Sequence, residues 1–420
     1  MKIIYRVIVF GLFVFAIFFK ITTVPNISKE HENELIGSIA SIRTIQPSDT
    51  NFSDLIFLKT LLKERKILLL GEATHLDGST FLAKTRLIKF LHEQLDYDVL
   101  LWEAGLFNVW YMNEELEKKK QLNPSLAIYP FWYSSIECKE LWKYLNQQQQ
   151  ISKPIELGGF DLQHTGMIDD TVLGNKIITF LKSKEVDIVN YKYFNSIVYK
   201  MGNSHKWINE MGSETAKKDS ILMDFNSITK IINSKINNFE DSIFYRYLAQ
   251  TMIWANCSWT YEIGNPKRSH LRDSIMADNL IWLIEQYYPE KKIIVWASNM
   301  HILYNNTLYQ PIINEMSFIS MGEYLKNKYG DLCYTMAFSS YSHLSARYTI
   351  YRKGGNKSIE YLLHKNRIRY GFLDFRTVPY TSFLHGNIVI RANHNIDIKG
   401  KWSSMLDGLF YIDTMQNIHY

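Results

Sequence analysis

Lys66-Ile67-Leu68-Leu69-Leu70-Gly71-Glu72-Ala73-Thr74-His75 is the stretch whose reading governs the rest of the chain. A continuous apolar run of strand length that closes on glycine is the pattern of a strand buried on both faces, as parallel sheets require. Outward from it, Phe81 to Leu95 carries a helical period, and Val99-Leu100-Leu101-Trp102 forms the next strand. Helical patterns cover 107–120 and 136–149. Pro154 precedes a third strand, Ile155 to Phe160, and Lys292-Ile293-Ile294-Val295-Trp296 is a fourth. Further strands are expected at Ser317–Met321, Cys333–Ser339 and Leu409–Ile412. Strand and helix alternating in this order predict an α/β fold, a central, mostly parallel sheet flanked by helices.

The stretch 166–288 interrupts that alternation. It holds helical patterns near 171–183, 220–236, 240–258 and 270–288 and no strand, so it reads as a helical insertion subdomain. The chain then divides into an N-terminal segment (1–24), a linker (25–55), the first part of the α/β core (56–165), the insertion (166–288), and the second core part with a C-terminal region (289–420). In the N-terminal segment Lys2 and Arg6 precede an unbroken apolar run from Val7 to Phe19, closed by Lys20. Such a run is the apolar core of a signal peptide or a membrane anchor, and it places the rest of the chain outside the cytoplasm. No later segment is apolar for long enough to span a bilayer.

Composition narrows the function. With 46% hydrophobic residues in 420, the chain can bury a sizeable core and is not a disordered scaffold. A net charge of +5 is too slight to predict a nucleic-acid partner. Cys138, Cys257 and Cys333 lie far apart with no CxxC spacing, and read as buried thiols. Nothing in the pattern sets an oligomeric state.

Open parallel sheets bind ligands beyond the carboxyl ends of their strands. Here the first strand runs into Glu72 and His75, the second into Glu103, the third into Asp161, and the fourth into Ser298-Asn299-Met300-His301. Two histidines and three carboxylates are thus expected to converge on one cleft. Lys84 joins them, because it lies within the stripe Phe81, Ile88, Leu91 and Leu95, while Lys89 and Glu93 face away. Helical side chains lean towards the helix start, which sets its ammonium beside Glu72 and His75. The alternative is a lysine snorkelling from the edge of the stripe.

Gly71-Glu72-Ala73-Thr74-His75-Leu76-Asp77-Gly78, then Lys84, then Tyr97-Asp98-Val99-Leu100-Leu101-Trp102-Glu103-Ala104-Gly105 together resemble the erythromycin esterase family. So do Gly159 to Gln163, Leu271 to Asn279, Val295 to His301, Met321 to Leu325, and Asp407 to Phe410. The resemblance runs in order from about residue 60 to the C-terminus. It implies an erythromycin esterase-like α/β fold with a helical insertion. The activity it implies is hydrolysis of a macrolactone ester, the chemistry of macrolide resistance, with no cofactor and no obligatory metal. The implied partner is a small-molecule ester or lactone. Position by position, His75 resembles the general base that activates water, and Glu72 and Glu103 the carboxylates flanking it. Lys84 resembles the basic residue of the site and His301 its second histidine. Asp161 and Arg272, in matched blocks, resemble substrate-binding or supporting residues. A histidine can take a proton from water while a carboxylate fixes its tautomer, and Lys84 or His301 can meet the developing oxyanion. Leu76, Ser79 and Ser298 depart from the family pattern, which has glycine, an acid and a histidine there.

Two other readings use the same residues. Glu72, His75, Glu103 and His301 offer two imidazoles and two carboxylates, a set that can hold Zn, Mn or Fe in a metal-dependent hydrolase. Against it, Glu-x-x-His on a loop is not the helical zinc motif, and Lys84 repels a cation. No Gly-x-Ser-x-Gly and no glycine-rich phosphate cradle occurs. The remaining alternative is an exported, non-catalytic binding or envelope polysaccharide-assembly protein on the same fold, its aromatic residues stacking on sugars.

Overall fold

The structure, a computed structural model, describes residues 27–151, 153–211, 215–306, 318–345 and 350–420. The expected signal or anchor at 1–24 lies outside the described residues. Among the described residues no helix is long and apolar enough to cross a membrane. The architecture is α/β, a mixed, mostly parallel central sheet flanked by helices. Its strands are β1 (Ile39–Ser41), β2 (Ile67–Leu70), β3 (Tyr97–Gly105), β4 (Glu156–Asp161), β5 (Lys292–Trp296) and β6 (Cys333–Ser345). They continue with β7 (Ile350–Lys353), β8 (Tyr370–Asp374), β9 (Ile388–Ile390), β10 (Ile398–Gly400) and β11 (Gly408–Met415). Helices include α1 (Gly78–Leu95), α2 (Leu106–Lys119), α3 (Asp170–Ser183), α4 (Thr215–Asn233) and α5 (Phe239–Thr260). After these come α6 (Pro266–Trp282), α7 (Asn299–Ile302), α8 (Met321–Tyr329) and α9 (Ile359–Lys365).

The described residues gather into two compact units, the first drawn from Met1–Tyr97, Ser135–Leu141 and Lys292–Tyr420. Within it β11, β6, β2 and β5 lie side by side and parallel. β8 pairs antiparallel with β11, β1 antiparallel with β8, and β9 and β10 form a separate antiparallel hairpin. All four residues of β2 are 0% exposed, which is why its sequence shows no polar alternation. Each such aliphatic side chain stabilises the fold by roughly 1.5–3 kcal/mol.

The second unit takes Asp98–Ser134 and Trp142–Lys291. β3 and β4 pair in parallel there, with a register shift between Trp102 and Gly105. Between β4 and β5 the described residues form helices and turns, with α3 to α6 as the long elements. Aromatic side chains join them. Phe180 of α3 stacks on Phe244 of α5 at 4.2 Å, and Phe107 of α2 packs edge-on to the same ring at 5.2 Å. These rings are core.

Two local expectations fail. Met321 opens helix α8, capped by the Ser320 hydroxyl, where a strand over Ser317–Met321 was expected; residue 317 lies outside the described residues. Lys89, expected to face solvent, is 9% exposed and donates to the Pro47 carbonyl at 3.0 Å. Its neighbour Arg86 is held by both carboxylate oxygens of Asp54. Residues between β1 and β2 thus cover the face of α1 that carries Arg86 and Lys89.

Candidate active site

Gly71 follows β2 directly, and a side chain there would collide with the Asn299 amide and Ile302. The chain then turns through Glu72 to Asp77 before α1 begins. Asp77 stands at the N-cap of α1 without capping it. Its carboxylate instead accepts from the Thr74 amide at 2.9 Å and the Thr74 hydroxyl at 2.7 Å. Burial pushes Asp77 up to about 6, against the Thr74 hydrogen bonds and with the Glu72 charge adding to the rise. The loop that carries Glu72 and His75 is therefore closed on itself by a buried carboxyl group.

Glu72 is the centre of the first unit's polar cluster. Its side chain is 0% exposed, and each oxygen has its own partner. Oε1 lies 2.8 Å from His75 Nδ1, and Oε2 accepts from Lys84 Nζ at 2.8 Å. The Lys84 side chain is 0% exposed, 3.4 Å from the Ala297 carbonyl oxygen and 4.3 Å above the Trp296 ring. The ammonium leans back towards the helix start as expected, but it is buried beneath the loop. Lys84 therefore meets Glu72 and not solvent. His75, by contrast, is 40% exposed.

His301 lies in α7, directly after β5. Because β5 is parallel to β2, both chains leave the sheet at the same edge, with Leu70 opposite Trp296. Asn299 fastens the two exits together. Its backbone N–H donates to the Glu72 carbonyl at 2.8 Å, and its side-chain amide donates to the carbonyls of Phe338 (2.8 Å) and Ala392. Ser298 accepts from the Met300 amide and caps the short helix. His301 is half-buried.

Glu103, Asp161 and Arg272 form a second cluster, within the second unit. Arg272 grips Asp161 with two nitrogens, at 2.5 and 3.3 Å, and reaches Glu103 at 3.0 Å. Burial would lower the guanidinium pKa, but the charges of Asp161 and Glu103 outweigh it and raise it well above the ordinary value. Asp161 also accepts from the Gln163 amide at 3.1 Å. Nearby Tyr129 is raised by burial and then by the Asp161 charge. The parallel register of β3 and β4 brings the two carboxylates together, with Gly105 opposite Asp161.

Among the described residues, no three His, Cys, Asp or Glu side chains are grouped as ligands of one metal ion. The three cysteines are buried free thiols, and burial pushes those of Cys138 and Cys333 up to about 12.

The model of the family described as "Erythromycin esterase" matches residues 92–414. The chain belongs to the erythromycin esterase family. It is 26% identical over 325 residues to "Putative hydrolase YbfO" of Bacillus subtilis (strain 168), covering 72% of this chain and 70% of that one. It is 22% identical over 401 residues to "Erythromycin esterase type II" of Escherichia coli, covering 87% and 93%. Family membership and these relatives support a hydrolase function. Solved structures share the fold. A succinoglycan biosynthesis protein superposes with a TM-score of 0.76 at 18% identity, covering 93% of this chain and 98% of that one. A mutant of erythromycin esterase EreC in its open conformation gives 0.66 at 17% identity, covering 90% and 98%.

Sequence reading singled out Glu72, His75 and Lys84, and the structure groups them. It passed over Asp77 and Asn299, although both stand inside the quoted family blocks, and it passed over His394. For Asn299 the signal present in the sequence was its place just past the end of the Lys292–Trp296 strand, in the block that also holds His301.

Proposed function

We propose that this esterase-family chain hydrolyses a carboxylic ester or lactone by way of a water molecule activated by His75, without a metal ion. One observation carries the reading: an exposed imidazole whose Nδ1 is held 2.8 Å from a fully buried carboxylate. That contact places the ring proton on Nδ1 and makes Nε2, the nitrogen Glu72 does not hold, the basic one. As water bonds to the carbonyl carbon, Nε2 takes its proton, and Glu72 supports the imidazolium that forms. The electron pair of the C=O bond moves to oxygen. When the tetrahedral intermediate collapses, the alkoxide leaves with the proton from His75. Lys84, 2.8 Å from Glu72, sets a positive charge beside that buried carboxylate, the compensation a metal cation would otherwise supply. The Arg272 cluster supports substrate binding in this reading, and export by the N-terminal segment would place the reaction outside the cytoplasm.

The test is incubation of the purified protein with a panel of macrolides, simple lactones and acyl sugars, read by mass spectrometry. Addition of one water to a panel member, abolished in His75→Ala, is the expected result. Thermal stabilisation by a panel member with no product would replace hydrolysis by binding.

A further inference from the structure

His394 stands at the tip of the hairpin β9–β10, in a region of sequence with no recognisable motif. It and Asn395 are consecutive non-glycine residues in the left-handed region, with φ of 50° and 53°. Such a pair is disfavoured and persists only where its surroundings hold it, which points to use of the residue it presents. The surroundings do hold it. Arg391 is buried, donating to the Ser340 carbonyl at 3.0 Å and to Asp397 at 2.6 Å. The Ser340 hydroxyl meets Asn395 at 3.1 Å. The Ala392 carbonyl accepts from Asn299, the same residue whose backbone N–H holds the Glu72 carbonyl. One asparagine therefore fixes both the His75 loop and the His394 loop.

The imidazole itself is exposed, and its Nε2 lies 2.9 Å from the sulfur of Met300, next to His301 in α7. A thioether is a weak acceptor, which a carbonyl oxygen readily displaces. Desolvation first, and the charge of His75 second, lower the pKa of His394. Lys84 is buried beneath Glu72, so of the two oxyanion donors expected from the sequence His301 remains, and His394, against the neighbouring Met300, offers a second.

We propose that His394 touches the substrate at the His75 site and donates a hydrogen bond to the carbonyl oxygen as it becomes an oxyanion; this rests on the hydrolase reading above. Water's oxygen bonds the carbonyl carbon, its proton goes to His75, and the electron pair displaced from the C=O bond settles on the oxygen that His394 holds. His394 keeps its own proton throughout.

The left-handed backbone supplies clean variants. His394→Gly relaxes the backbone and removes the donor, while His394→Asn keeps a donor and tolerates the same φ. With p-nitrophenyl butyrate, or whichever panel ester turns over best, His394→Gly should lose about 100-fold in kcat with KM changed far less. His394→Asn should recover most of it, and both should melt no lower than the parent. The mono-p-nitrophenyl ester of propylphosphonate, a tetrahedral anion, should protect the parent and His394→Asn against thermal unfolding but not His394→Gly. Turnover that needs His75 yet stays within twofold of the parent in His394→Gly overturns the proposal and leaves the hydrolase reading intact. Phosphonate protection that needs His394, in a protein that turns over no ester, sustains the contact and overturns the hydrolase reading. Loss of both turnover and His394-dependent protection overturns both.

Discussion

At the scale of single residues, two side chains with the same partner do different work. His75 is half in solvent and Lys84 wholly out of it, although both end 2.8 Å from Glu72. Only the first can meet water. His75→Ala is expected to lower turnover by at least ~100-fold, the range of general-base catalysis, with an unchanged circular dichroism spectrum. Activity near that of the parent would remove His75 from the mechanism. Lys84→Met leaves the buried Glu72 without its cation, so it should cost about 3–5 kcal/mol of stability as well as activity. Pairing it with Glu72→Gln should restore the melting temperature but not turnover. Neither zinc nor manganese should rescue Lys84→Met, and the parent should stay active after exhaustive dialysis against a chelator. Loss of turnover on chelation, restored by one divalent ion, would make the two histidines and Glu72 candidate ligands and a bound hydroxide the nucleophile.

At the scale of elements, the site is a matter of how strands end. β2 and β5 run parallel and in register, so Glu72, His75 and His301 leave the sheet at one edge without any long-range coincidence. Asn299 then ties that edge to β6 through the Phe338 carbonyl and to the β9–β10 hairpin through Ala392. Asn299→Ala strands two buried carbonyls and should destabilise the protein by roughly 2–6 kcal/mol in urea unfolding, since each buried group left unpaired costs about 1–3 kcal/mol. Turnover in the surviving folded fraction should fall too, because the backbone N–H that holds the Glu72 carbonyl is kept but loses the side-chain bonds that fix its position. A loss of stability with kcat unchanged would confine Asn299 to a structural role. The second cluster follows the same rule: β3 and β4 end side by side, and Arg272 closes their two carboxylates.

At the scale of the whole molecule, pH acts on a buried carboxyl group outside the His75 loop. Glu360, in α9, is fully buried, accepts from the Arg391 amide at 2.9 Å, and is raised by burial from 4.5 to about 7. Between those values the folded chain holds a proton that the unfolded chain has lost. The stability this group contributes is therefore complete below about 4.5 and is lost as pH rises through about 7. Glu360→Gln should flatten the fall of melting temperature between about pH 5 and 7. It should also raise the melting temperature above the parent's at alkaline pH. Parallel melting curves for the two proteins across that range would show Glu360 irrelevant.

The sequence alone determined those features that depend on neighbours in the chain. Continuous apolar runs marked β2 and β5, because a strand covered on both faces needs no polar alternation. Helical lean predicted that Lys84 points at Glu72, since a side chain's direction follows from its own backbone. The family blocks marked Glu72, His75, Glu103 and His301. Tertiary structure alone decided what depends on residues distant in the chain. Burial of Lys84 came from Trp296 and Ala297, more than two hundred residues away in sequence. Lys89 was drawn inward by the Pro47 carbonyl, which no helical periodicity reports. His394 reached Met300, beside His301, because Asn299 and the buried Arg391 hold its hairpin in a backbone conformation that local propensity disfavours. Local preference is written in short stretches of sequence; desolvation and long-range hydrogen bonds exist only once the chain has closed.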